Sequence, residues 1–136
     1  MMESKKLENL DLTIYSSKCH NGLNIYVIPN NKVNNIYATF TSKYGSRINE
    51  FVPIGEKEMI KVPEGVAHFL EHKMFEQKSG IDPFTFYSNN GASANANTSY
   101  YKTTYLFDGP DNIKENLNYL LDYVQDPYFT NENVEK

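Results

Sequence analysis

The chain has 136 residues and a mass of 15.7 kDa, the size of one domain with a core of its own, and its 40% hydrophobic and 22% charged residues exclude a disordered polymer. A net charge of -4 with a pI near 5.3 excludes a general nucleic-acid binder, which needs a basic surface. The lone Cys19 excludes an intramolecular disulfide and any cysteine-rich zinc finger. The opening MMESKKLENLDLT lacks the apolar run of a signal peptide, and no stretch reaches membrane-spanning length. A cytoplasmic protein is expected, with no nucleic-acid or membrane partner.

LTIYSSKCHNGLNIYVIPN predicts two strands, with apolar positions at Leu12, Ile14, Leu23, Ile25 and Val27 and a turn at His20-Asn21-Gly22. Asn34 to Gly45, rich in β-branched and aromatic residues, predicts a third strand. Residues 46–65 carry two prolines and little periodicity and read as a long loop. Pro63 and Glu64 suit the first turn of a helix over about Gly65 to Gln77. Its apolar residues Val66, Ala67, Phe69, Leu70, Met74 and Phe75 surround it, which predicts burial on most sides.

Asp82-Pro83 opens a short helix that stops at Asn90-Gly91. Ser93 to Gly109 reads as one strand, or as two with a bend near Ser99. Asp111 is then expected to cap an amphipathic helix whose stripe is Ile113, Leu117, Leu120, Leu121 and Val124, ended by Pro127. Thr130 caps a further helix in TNENVEK, which is interrupted at Lys136. The order predicts an α+β fold in two layers, a mostly antiparallel sheet with helices packed on one face. Residues 1–136 are expected to be the N-terminal part of a longer domain. Apolar surface left uncovered there leaves room for a homo-oligomer.

Chemistry concentrates in EGVAHFLEHKMFE, Glu64 to Glu76. Residues four apart on a helix differ by about 40° and one turn of about 5.4 Å. His68 and His72 therefore project from one side, where two imidazoles can converge on a zinc ion at about 2.0–2.1 Å each. Glu71 lies within about 60° of His68 on the same wheel. A carboxylate there can serve as general base toward a water activated by zinc. The bland alternative is an ordinary packed helix with hydrogen-bonded histidines.

The segment HFLEH resembles the inverted zinc motif of the pitrilysin/insulinase metallopeptidases. The likeness extends to GSRINE (Gly45 to Glu50), to GASANANTSYYKTTY (Gly91 to Tyr105) and to FTNENVEK. The loop before Pro63 is most similar to a bacterial branch. The resemblance implies a zinc-dependent peptidase with His68 and His72 as metal ligands and Glu71 as general base. It also implies an exposed edge strand at Asn95 and Ala96 that receives a peptide substrate as an added strand. For that strand, a packed sheet edge with little room above it is the bland alternative.

The family's third zinc ligand is a glutamate roughly seventy to eighty residues after the second histidine, which here falls past Lys136. Two imidazoles alone bind zinc weakly, so the chain by itself is expected to be inactive, with its zinc site incomplete. Glu132 and Glu135 come too early to substitute and read as surface charge. His20 reads as a turn residue and Cys19 as a half-buried strand residue. The resemblance also implies a missing remainder of the chain or a homologous domain that closes over the substrate. The competing readings are a non-catalytic peptide-binding or assembly module of the same family, and a structural metal site, for which a fourth ligand is not evident.

Overall fold

Gly22 takes a left-handed backbone (φ 92°), as an Asn-Gly turn requires, and the expected hairpin forms around it. The computed structural model describes residues 2–135, divided into two units at Asn34/Asn35. In the first unit, β1 (Glu3–Leu7) pairs antiparallel with β2 (Leu12–Lys18), which pairs antiparallel with β3 (Asn24–Val27). Strand β1 is additional to the sequence reading, because ESKKL has no alternating apolar signal. Leu12 and Ile14 are half-buried, but Leu23, Ile25 and Val27 are exposed, so β3 does not bury the face its pattern suggests. Cys19 lies in the turn rather than in a strand. Its carbonyl accepts from Gly22 N–H at 2.9 Å, and its own N–H donates to the Leu23 carbonyl at 2.8 Å.

The second unit is built on β4 (Ile36–Ser42), β7 (Ser93–Thr98) and β8 (Thr103–Gly109), in the order β4-β8-β7 and antiparallel throughout. The expected bend near Ser99 is the turn between β7 and β8. Within residues 46–65, read as loop, a two-residue ladder joins β5 (Glu50–Phe51) to β6 (Ile60–Lys61). Its exposed Lys61–Glu50 ion pair at 3.0 Å contributes little stability. The strands thus form three small antiparallel sheets rather than one, and the α+β class stands.

Helices α1 (Val66–Lys73) and α2 (Pro83–Asn89) pack on β7, and α3 (Ile113–Gln125) packs on β8 and β4. They meet one face of the sheet, where Tyr105 and Phe107 of β8 join Met74, Tyr87, Leu120 and Tyr123 in the core. The packing is aromatic, with Tyr87 stacked on Phe107 at 5.4 Å and Phe86 on Tyr119 at 3.7 Å between centroids. Asp82 caps α2 as expected, its Oδ1 accepting from Phe84 N–H at 3.0 Å. Thr130 caps α4 (Asn131–Glu135) by accepting from Asn133 N–H at 3.1 Å, and Asn133 reciprocates by accepting from Thr130 N–H at 2.8 Å. Lys136 lies outside the described residues, none of whose helices is long and apolar enough to cross a membrane.

Three expectations need correction. The cap position of α3 is Asn112 at φ 51°, with no side-chain cap bond, and Asp111 instead accepts from Asn116 Nδ2 through its carbonyl. The inward face of α3 is Asn116, Leu120 and Tyr123, while Leu117 is 39% exposed. Tyrosine rings fill the space that the Leu/Ile/Val stripe was expected to occupy. Helix α1 is buried on one side only, since Phe69 is 39% exposed and both histidines face solvent.

Gly45 sits against the β7–β8 turn, where an added Cβ would meet the Ser99 carbonyl oxygen at 2.4 Å and Lys102 N at 2.5 Å. Both are backbone atoms and cannot swing aside. Gly45→Ala is expected to destabilise by about 1–3 kcal/mol, read as a lowered Tm. The buried tyrosines set an alkaline limit. Burial, aided by the nearby Glu71 charge, pushes Tyr105 up to about 12, and burial raises Tyr87 and Tyr123 further. A folded-state pKa above the unfolded value of 10.0 leaves stability intact below pH 10 and removes it as pH rises toward 12. Thermal unfolding is expected to hold level to about pH 10 and then fall. Tyr123→Phe should flatten that fall at a cost of at most about 1 kcal/mol at neutral pH, because the Tyr123 hydroxyl has no hydrogen-bond partner.

Candidate functional site

Gly65 takes a left-handed conformation (φ 89°) at the cap of α1, so the helix starts at Val66 rather than at Pro63-Glu64. Its first hydrogen bond runs from Phe69 N–H to the Gly65 carbonyl at 2.9 Å. One turn separates His68 from His72, and both rings lie on the exposed side. Their Nε2 atoms are 3.0 Å apart, with ring centroids at 4.7 Å and planes at 67°. One ring nitrogen donates this contact and the other accepts it, the roles being set by the tautomers. Two nitrogens sharing a tetrahedral zinc at about 2.0–2.1 Å would be about 3.3 Å apart, so the pair fits the ion after parting by a few tenths of an ångström. Among the described residues, no third His, Cys, Asp or Glu joins them in a group able to hold a metal.

Glu71 is only 8% exposed, and its Oε2 accepts from the Thr98 hydroxyl at 2.5 Å. Thr98 ends β7, on the inward side with Ala94 and Ala96. The Thr103 hydroxyl lies 3.5 Å from that of Thr98 but donates to the Tyr44 carbonyl at 2.8 Å. Each hydroxyl has one proton and both are committed, so no hydrogen bond links the two threonines. Lys73 is also 8% exposed and pairs with Glu76 at 2.7 Å, which keeps its charge away from Glu71.

Strand β7 is the edge of its sheet, paired on one side only, with Asn95 opposite Leu106 and Ala96 opposite Tyr105. The Asn95 side chain is exposed, and its Oδ1 accepts from Ala96 N–H at 2.8 Å. Ala94 and Ala96 pack inward on the core, so their small size serves helix packing. The GSR segment docks at the far end of this edge. Ser46 N–H donates to the Ser99 carbonyl and Arg47 N–H to the Tyr100 carbonyl, each at 2.9 Å, and the Arg47 guanidinium lies 4.2 Å from the Tyr100 ring centre. An open cleft of about 550 Å³ lies between Arg47–Glu50 and Lys61–Glu64, and neither histidine lines it.

The structure thus brings His68 and His72 together, sets Glu71 beside them on α1, and ties that carboxylate to the strand of Asn95 and Ala96. His20 is an exposed turn residue of the first unit, and Glu132 and Glu135 are exposed on α4. Thr98 and Tyr105 were missed as neighbours of Glu71. The signal for Thr98 was its position two residues beyond Ala96, on the same face of an alternating strand.

Residues 41–136 match the family described as Insulinase (Peptidase family M16). All of the chain is 52% identical to 32% of the zinc protease YmfH of Bacillus subtilis (strain 168), a protein described as uncharacterized. Sixty-two residues, 45% of the chain, are 39% identical to 14% of AlbF of Bacillus subtilis, also named as a zinc protease. A crystal structure described as an M16-like peptidase from Alicyclobacillus acidocaldarius superposes with a TM-score of 0.83 at 37% identity, over 91% of this chain and 29% of that one. The chain spans about a third of the length of YmfH. With its α+β fold, its paired histidines and this agreement in sequence and structure, the chain belongs to the insulinase family of peptidases, M16.

Proposed function

We propose that this chain carries the motif-bearing part of the active site of a zinc-dependent peptidase. The supporting observation is the approach of the His68 and His72 Nε2 atoms to 3.0 Å, with the buried carboxylate of Glu71 on the same helix. His68 and His72 hold the metal. When bound, zinc supplies the positive charge that lowers the pKa of a water toward about 7. Glu71 takes the proton of the attacking water at a carboxylate oxygen and returns it to the leaving amine nitrogen. Its Oε2 is engaged by Thr98, which leaves Oε1 for this exchange.

The free edge of β7 at Asn95 and Ala96 takes the peptide as an added strand. Backbone pairing there requires the Ala96 N–H to leave the Asn95 side chain and meet a peptide carbonyl. A third protein ligand and a closing homologous domain come from outside these residues, and the chain alone is inactive.

The test is zinc content and peptide hydrolysis by the intact protein and its variants. Glu71→Gln is expected to keep zinc and lose turnover by about 10²–10⁴-fold. His68→Ala and His72→Ala should lose zinc and turnover together. Peptide binding without turnover in both wild type and Glu71→Gln would replace the peptidase by a binding module.

A further inference from the structure

A helix fixes where the Glu71 Cβ stands but not where its oxygens point. On this helix the carboxylate is buried, and Thr98 is the donor that holds it, at 2.5 Å. The Glu71 carboxylate, at 2.5 Å, is a nearer acceptor for the Thr98 proton than the Thr103 hydroxyl oxygen at 3.5 Å. Thr98 also stands at a well-anchored point of the edge strand. Its main chain pairs with Thr103, and the turn that follows is closed by Ser99 N–H on the Lys102 carbonyl at 2.9 Å. Gly45, Ser46 and Arg47 brace that turn from outside. Ala96 lies two residues earlier, about 6.7 Å along a strand.

We propose that Thr98 is a positioning residue that ties Glu71 to the edge strand β7. The contact commits Oε2 and leaves Oε1 as the base. It also holds that oxygen at a fixed offset from the backbone at Asn95 and Ala96, so a peptide paired there meets the base in one register. The inference rests on the peptidase reading above, because only a strand-added substrate gives the register a meaning.

The experiment compares Thr98→Val, which keeps the shape and removes the hydroxyl, with Thr98→Ser, which keeps the hydroxyl. Thr98→Val in the intact zinc-loaded protein is expected to lower kcat by about 10–100-fold, with KM and zinc per chain unchanged. Thr98→Ser should return kcat to within about threefold of wild type. In the zinc-free protein, the infrared carboxylate band assigned to Glu71, as the difference from Glu71→Gln, should shift in Thr98→Val and return in Thr98→Ser. Should Thr98→Val fail to fold, Thr98→Ala carries the same comparison. Wild-type kcat in Thr98→Val, an equal loss in Thr98→Ser, or an unmoved carboxylate band overturns the proposal. If wild type and Glu71→Gln are equally inert toward peptides, it is the peptidase reading that fails, and the infrared band still decides whether Thr98 holds Glu71.

Discussion

The register of β8 between two antiparallel partners is the constraint on which the rest of the second unit depends. Tyr105 is flanked by Phe40 on β4 and Ala96 on β7, and Phe107 by Ala38 and Ala94. Large rings on the central strand and methyls on the edge strand leave a hollow along β7. Helices α1 and α2 lie against that strand. A slip of one residue would turn Tyr105 and Phe107 to the opposite face and empty the core. The same alternation that turns Ala94 and Ala96 inward turns Thr98 inward, and Thr98 reaches the helix at Glu71. Strand pairing therefore determines what the acid of the motif touches.

What could be read from the sequence was local. Asn21-Gly22, Asp82-Pro83 and the bend near Ser99 are decided by the conformational limits of a few adjacent residues, and each lies where expected. The convergence of His68 and His72 was legible for the same reason, since one turn of helix sets it. The misses come from contacts distant in sequence. Strand β1 forms on polar residues because β2 offers it an edge to pair with. The inward face of α3 turned toward Tyr123 and Asn116 because the tyrosines carry the larger apolar area, which an aliphatic stripe does not count. Helix α1 was read as buried all round from its composition, yet its apolar residues are divided between the core and solvent.

The polar partners in the core show how closely its helices are matched. The Tyr87 hydroxyl donates to the Asn116 carbonyl at 3.1 Å, which joins α2 to α3 across the aromatic layer. Asn116 in turn donates to the Asp111 carbonyl at 3.1 Å and steadies the start of α3, whose cap makes no side-chain bond. A fully buried asparagine thus ties the first turn of α3 to the residue ahead of its cap, while its Oδ1 is buried without a hydrogen-bond partner.

Two buried charges flank His72, and the different partners they find decide what each can do. Glu71 and Lys73 are two residues apart, which on a helix points them about 200° apart and prevents them from pairing. Lys73 is neutralised by Glu76 at 2.7 Å and becomes a structural ion pair. A cation such as arginine on Glu71 would engage both carboxylate oxygens in a bidentate grip. A threonine hydroxyl has one proton and engages one oxygen, so it can orient the carboxylate without occupying it. The base proposed at Glu71 has both to stay in place and to accept a proton, and that kind of partner allows both. The edge strand of the sheet supplies it from 27 residues further along the chain.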